Sequence, residues 1–351
     1  MMNDSPSINN LAHFQVIRLN QEISPVDEFE MDLYRKLGIQ PFQVETHSTE
    51  ELIQLVQTCD AVLVVSATLP GIVIEQMRNC RVICRLGIGV DKIDVETATR
   101  CGIVVTNVPD CFSEEMAEHV LAMILGLARK LPQMDRAIRE GAWRRSRQLS
   151  VQNQRLSETT LGLVGFGDSA QNVAKLASAF GMRVLATRRN WQQDTPAAER
   201  LGVQMVDLDT LLEKADFVSL HLPLNKETHH LIDATALSKM KPDACLINTA
   251  RGAIVDEMAL VRVLKEGRLG GAALDTFESI NPFSIEEVAP CHPLFERDNV
   301  ILTPHVAALS AQGMQAVATG SIQNLGAILR GFWPSERNIV NLSVIPRFPL
   351  T

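Results

Sequence analysis

Residues 161–189 read LGLVGFGDSAQNVAKLASAFGMRVLATRR, and this stretch decides the fold. A short apolar run, Leu161 to Val164, ends in Gly165-Phe166-Gly167. An amphipathic helical pattern follows, and then a second apolar run, Met182 to Ala186. Strand, glycine turn, helix and strand make a βαβ unit of dinucleotide-binding length. Gly165 permits the tight turn, and Gly167 lets backbone N–H groups approach a pyrophosphate at the positive end of the helix. Ala170 stands in place of the motif's third glycine and is small enough to keep helix and strand close. The first expected cofactor contacts are therefore Gly165, Phe166, Gly167, Asp168, Ser169 and Ala170.

The end of the second strand addresses the choice of dinucleotide. An NAD-selective site carries Asp or Glu there, about 20 residues on, to accept hydrogen bonds from the ribose 2′-hydroxyl. Here the segment is Ala186-Thr187-Arg188-Arg189, with no carboxylate. Two guanidinium groups beside the Thr187 hydroxyl suit a 2′-phosphate, which Arg can grip in bidentate fashion. The expected cofactor is NADP in preference to NAD; the alternative is a solvated basic turn with relaxed choice.

The chain has 351 residues, 46% hydrophobic and 21% charged, which fits a globular protein of two ordinary domains. A net charge of −8 without a basic patch argues against direct nucleic-acid binding. Arg144, Arg145 and Arg147 are the densest basic cluster, read as a solvated helix face. No apolar run approaches the ~20 residues of a membrane span. The start, MMNDSPSINN, lacks the regions of a signal peptide, so the cytoplasm is expected. Seven scattered cysteines point to buried free thiols, and Cys80 with Cys84 lacks a second pair at zinc spacing; no metal is expected.

Strands and helices alternate almost throughout. Apolar runs at 14–19, 42–44, 61–65, 81–85 and 103–106 are separated by helical patterns such as 26–37 and 49–59. This predicts an α/β fold with a parallel sheet covered on both faces. A long helix is expected over 113–131, capped by Asp110 or Ser113, with Arg129 and Lys130 in its last turn. A second parallel sheet begins at 161, with further strands at 217–221, 244–248, 271–275 and 300–303. A last helix, 310–329, carries Ala311, Ala316, Ala318 and Ala327 for close packing and returns to the first domain. The expected domains are 1–110 plus 310–351, of flavodoxin-like form, and 111–309, of Rossmann type.

Three segments stand at the carboxyl ends of predicted strands, where open α/β sheets place ligands. They are His221-Leu222-Pro223-Leu224, Asn248-Thr249-Ala250-Arg251-Gly252 and Thr303-Pro304-His305. A planar cation at Arg251 can bind a carboxylate and polarise an adjacent carbonyl. His305 can donate a proton near neutral pH. A hydride delivered to the carbonyl carbon, with His305 protonating the oxygen, would reduce a 2-keto acid. A surface salt bridge for Arg251 and an ordinary hydrogen bonder for His305 are the competing readings of each residue taken alone.

These segments together resemble the D-isomer-specific 2-hydroxyacid dehydrogenases over about residues 55–340. The resemblance rests on LGIGVDKID (86–94), NVPD (107–110) with Ala117-Glu118-His119, Gly165-Phe166-Gly167, HLPL (221–224) with Glu227-Thr228, NTARG (248–252), GAALD (271–275) and Thr303-Pro304-His305. RLGIGVDKID and NVPDCFSEE look closest to the branch with the C-terminal binding protein corepressors. The resemblance implies that Arg251 holds the substrate carboxylate and carbonyl, that His305 is the general acid/base and that Asp275 orients the nicotinamide carboxamide. It implies cofactor contacts at His221, Leu222, Pro223, Thr228, Thr249 and Ala250 as well. Substrate contacts fall on Ser66 and on the backbone N–H groups of Leu86, Gly87, Ile88 and Gly89. Glu118 and His119 would have a structural role on an interdomain helix. A homodimer acting on a small 2-keto or 2-hydroxy acid is expected.

One departure matters. The family carries a Glu shortly after the Asp at 275, hydrogen-bonded to the catalytic His and raising its pKa. Here residues 275–282 read DTFESINP. Counted from Asp275 the Glu position falls on Ile280; anchored on Pro282 it falls on Asn281. Neither is a carboxylate. Asn281 can orient an imidazole but not stabilise its charged form. His305 is therefore expected to titrate lower than in a Glu-bearing relative, and Glu278 to be solvated. The missing Glu also sustains an alternative function, a dinucleotide-sensing, corepressor-like binding protein. The loop VSATL (65–69) carries no cation, which argues against a second acidic group on the substrate.

Overall fold

The computed structural model describes residues 10–46, 48–151, 153–283 and 291–351. The chain forms two compact units, Met1–Cys111 with Ser310–Thr351, and Phe112–Leu309.

The first unit holds five parallel strands: β1 (Val16–Leu19), β2 (Phe42–Val44), β3 (Ala61–Val64), β4 (Val82–Arg85) and β5 (Val104–Thr106). Their order is β2-β1-β3-β4-β5, the flavodoxin-like arrangement. Every residue of β1, β3 and β5 is buried, as helices on both faces require. The helix Ala311–Leu329 belongs to this unit, and the Ser310 hydroxyl caps it by accepting Gly313 N–H at 2.8 Å. Its close approach differs from the sequence expectation. Ala318 is buried and Ala327 half-buried as expected, but Ala311 and Ala316 are exposed. The positions that need a missing side chain are glycines: a Cβ at Gly320 would lie 2.8 Å from Val108 Cγ1, and one at Gly326 would lie 3.1 Å from Leu37 Cδ1.

The second unit holds seven parallel strands: β6 (Thr160–Val164), β7 (Arg183–Thr187), β8 (Gln204–Met205), β9 (Phe217–Leu220), β10 (Cys245–Asn248), β11 (Gly271–Leu274) and β12 (Val300–Leu302). Their order is β12-β11-β10-β9-β6-β7-β8. Counted within the unit this reads 3-2-1-4-5-6 with one strand added, the Rossmann order, and it reverses between β6 and β9. Ligands bind at such a switch point.

The long helix is shorter than its apolar pattern. It runs Ser113–Ala128 and packs Ala117, Val120, Leu121 and Ile124 into the core. Its N-cap is Phe112, without a side-chain bond, so neither Asp110 nor Ser113 caps it. Arg129 is the C-cap and Lys130 turns left-handed (φ 53°), after which Leu131–Arg139 starts a new helix with Pro132 in its first turn. Proline fits a first turn because its missing N–H is unused there. Arg144, Arg145 and Arg147 lie exposed on the helix Trp143–Ser150. Cys59, Cys80, Cys84 and Cys245 are buried, and burial pushes the thiols of Cys84 and Cys245 up to about 12. Cys291 departs from the expectation of burial and is exposed. Among the described residues no helix is long and apolar enough to cross a membrane.

Candidate active site

The glycine turn after β6 is fixed by backbone geometry. Gly165 has φ 100°, and its N–H donates to Thr187 O at 2.9 Å. A Cβ there would sit 2.3 Å from His221 O, so only glycine fits. At Gly167 nothing lies within 4 Å of where a Cβ would stand, and no side chain caps the helix Asp168–Ala179 that follows. Open space in front of uncapped N–H groups is what a pyrophosphate needs. Phe166 and Ala170 are buried in the core, so their side chains pack rather than face the turn.

Beside the turn, His221 sits between two hydroxyls. Its Nδ1 is 3.2 Å from Ser169 Oγ and its Nε2 is 2.9 Å from Ser219 Oγ. Burial pushes the imidazole down to about 4, so it is neutral at working pH. The loop beyond it is closed by Thr228, whose hydroxyl donates to Pro223 O at 2.7 Å and accepts Asn225 N–H at 2.8 Å. Arg188 curls back, its Nη2 3.2 Å from Gln193 O, while Arg189 pairs with Glu227.

Arg251 leaves β10 on a turn held by Asn248. The Asn248 amide donates to Arg251 O at 2.8 Å, and its Oδ1 accepts Ala250 N–H at 3.0 Å. Arg251 Nη1 donates to Ala250 O at 2.7 Å. A Cβ on Gly252 would fall 1.9 Å from the Phe277 carbonyl carbon, so glycine alone lets this turn lie against the loop after β11.

The loop carrying His305 is gripped by Asp275, which is 1% exposed. Its Oδ1 accepts the Thr303 hydroxyl and the Val306 N–H (2.9 Å), and its Oδ2 accepts the Ala307 N–H (2.9 Å). These bonds bracket His305, whose φ of 60° turns the chain left-handed. His119 Nε2 closes the cluster, 3.2 Å from Thr303 Oγ1 and 3.8 Å from Asp275 Oδ1. Asn281 spends its Oδ1 on Phe283 N–H at 3.1 Å, and the Phe283 ring lies 5.2 Å from the His305 ring. Asn281 therefore shapes the turn that carries Phe283. Glu278 is exposed, as expected; its Oε1 is 2.8 Å from His230 Nε2, and its N–H donates to Glu257 Oε1 at 2.6 Å.

In the other unit, Asn20 holds the loop that carries Ser66. Its Oδ1 accepts the N–H groups of Val65 (3.1 Å), Ser66 (2.8 Å) and Ala67 (3.0 Å). Lys92 Nζ donates to Ser66 O at 3.0 Å, so a cation does reach this loop, from outside the segment 65–69. The turn 86–89 corrects a second expectation. Leu86 N–H donates to Val64 O and Gly87 N–H to Arg85 O, because the chain is still leaving the sheet. The carbonyls of Ile88 and Gly89 are held by Asn107 Nδ2 and Arg85 Nε. Among the described residues, the N–H groups of this turn with no such bond are those of Ile88 and Gly89.

A match to the D-isomer specific 2-hydroxyacid dehydrogenase family, NAD binding domain, covers residues 121–307. The chain belongs to this family. A glyoxylate reductase of Thermofilum pendens is 39% identical over 86% of the chain and 87% of its own length. A D-3-phosphoglycerate dehydrogenase of Archaeoglobus fulgidus is 38% identical over 92% of the chain, which spans 59% of that relative's length. Among solved structures, a D-lactate dehydrogenase of Aquifex aeolicus complexed with NAD and lactic acid has a TM-score of 0.81 at 28% identity, covering 93% of this chain and 99% of that one. As a 2-hydroxyacid dehydrogenase the chain is a nicotinamide-dependent oxidoreductase. Its strand ends fit that cofactor. Besides the turn at Gly165 and Gly167, the buried hydroxyls of Thr249 and Thr276, after β10 and β11, find no hydrogen-bond partner among the described residues.

Sequence reasoning passed over Asn20, Asn248, Thr276 and Thr303 as working residues. Asn248 and Thr303 stood inside quoted motifs and were visible as polar groups ending apolar strands. Asn20 gave no such signal.

Proposed function

We propose that this chain reduces a 2-keto acid to the D-2-hydroxy acid, with NADPH preferred over NADH. The unit Phe112–Leu309 takes the dinucleotide, which supplies a hydride when bound. The Asp275 grip on both sides of His305, beside the strand end that bears Arg251, carries the reading. A carboxylate anchor fixes where the imidazole stands, and proton transfer demands that precision. Arg251 binds the substrate carboxylate and polarises the carbonyl. His305 gives its proton to the carbonyl oxygen as charge develops there. The N–H groups of Ile88 and Gly89 and the Ser66 loop are the acid contacts that the first unit offers. Asp275, with the Thr249 and Thr276 hydroxyls, meets the nicotinamide end of the cofactor, and the Gly167 turn meets its pyrophosphate. The reading includes a homodimer in the cytoplasm. The relatives named above are enzymes by their names, which favours catalysis over a dinucleotide-sensing role.

The test is oxidation of NADPH and NADH against a panel of 2-keto acids including glyoxylate, hydroxypyruvate and pyruvate. Turnover is expected with at least one, and Arg251→Ala and His305→Ala are each expected to reduce kcat/KM by roughly 10³-fold or more. Tight dinucleotide binding without turnover on any acid would return the sensing role. For cofactor choice, Arg188→Asp is expected to weaken NADPH far more than NADH, and equal loss of both would remove the 2′-phosphate reading.

A further inference from the structure

We propose that His229, His230 and Glu278 form a binding site for a divalent transition ion of the zinc type. The site lies outside the residues assigned to catalysis, and its argument is independent of the proposed reaction. His230 Nε2 is 2.8 Å and His229 Nε2 3.8 Å from the same oxygen, Glu278 Oε1. One ligand atom from each residue lies within 4.8 Å of the other two. Tetrahedral zinc, with bonds of about 2.0–2.1 Å, sets its donors roughly 3.3 Å apart. Small side-chain rotations close that gap.

The local backbone builds this arrangement. Sequence neighbours on an extended chain point to opposite sides. Here His230 adopts φ 50°, and the two imidazoles stack with centroids 4.1 Å apart. Each side of the cluster is anchored from beneath. His230 N–H donates to Ala253 O at 2.8 Å, and Glu278 N–H donates to Glu257 Oε1 at 2.6 Å. Glu257 is 4% exposed and has His292 Nε2 3.4 Å from its other oxygen. The Glu278 backbone is therefore held by a buried carboxylate and the His230 backbone by the half-buried Ala253 carbonyl, while the ligand side chains reach solvent at 53%, 36% and 32% exposure. That leaves a fourth coordination position for water. Two neutral imidazoles and one carboxylate suit zinc, cobalt or nickel and not magnesium or calcium, which require oxygen donors. A bound ion would staple the loop after β9 to the loop after β11, and both border the Arg251–Gly252 turn.

The full chain, free of any histidine tag and treated with EDTA, is titrated with Zn²⁺ by calorimetry and with Co²⁺ by visible absorption. Saturation at one ion per chain, ligand-field bands with Co²⁺ and a raised unfolding temperature are expected. His229→Gln and Glu278→Gln, each folded by circular dichroism, are expected to weaken binding on the order of tenfold or more. Cys291→Ser, which removes the exposed thiol, is expected to leave binding unchanged. The proposal is overturned by the absence of saturable binding, by binding that survives both His229→Gln and Glu278→Gln, or by binding lost in Cys291→Ser.

Discussion

Two loops in two units are held by the same wiring with different charge. Asn20 accepts three consecutive backbone N–H groups, from Val65 to Ala67. Asp275 accepts two consecutive N–H groups, Val306 and Ala307, and the Thr303 hydroxyl. Both anchors are buried, at 3% and 1% exposure. A neutral amide suffices where the loop presents backbone and a serine. A carboxylate serves where the loop presents His305, the proposed proton donor, and where His119 lies beside it. Charge in a buried anchor is costly to desolvate and is justified by what it does to the group it faces.

Exchanging the anchors breaks the comparison most directly. Asp275→Asn makes the second anchor like the first, but its amide nitrogen then meets an N–H or a hydroxyl that needs an acceptor. The His305 loop should shift and kcat fall by roughly 10²–10³-fold, with a smaller loss of stability. An unchanged kcat would show the two anchors to be equivalent scaffolding. His221 is an anchor of a third kind, neutral and titratable, joining Ser169 to Ser219. Unfolded, it binds a proton below about pH 6.5; folded, it resists until about pH 4. Its contribution is therefore absent at neutral pH and grows more unfavourable as pH falls through that window, reaching on the order of 3 kcal/mol. Urea unfolding from pH 7 to pH 4 should show this slope in the parent chain and a shallower one in His221→Gln. Parallel curves would mean the ring takes up its proton without loss. The reverse exchange, Asn20→Asp, keeps the acceptor but replaces the Asn20 amide, 3.4 Å from Glu45 Oε1, with a second carboxylate. A cost of about 1–2 kcal/mol in denaturant stability is expected, with kcat nearly unchanged.

The comparison also shows what a sequence displays. The alternation of strands and helices, the Rossmann unit at 161–189 and the glycine turn follow from local periodicity and from one residue type that alone tolerates positive φ. Arg251 and His305 stand out in the sequence as candidates because each follows an apolar strand by a few residues. The anchors were not. Asn20 acts on residues 65–67, and Asp275 on residues 303–307, partners that only the fold brings near. The exhausted N–H groups of Leu86 and Gly87 were hidden for the same reason, since sheet exit is a tertiary fact. The break at Lys130 had a local sign in Pro132, but the continuous apolar stripe outweighed it.

Gly165 and Gly252 are places where one backbone passes directly beneath another, 2.3 Å and 1.9 Å from where a side chain would begin. For anyone recombining loops between relatives to change the acid this fold accepts, these two residues are fixed points. Segments can be exchanged up to them and beyond them, but a junction that brings any other residue to either position pushes apart the strand ends on which both the dinucleotide turn and the Arg251 turn depend.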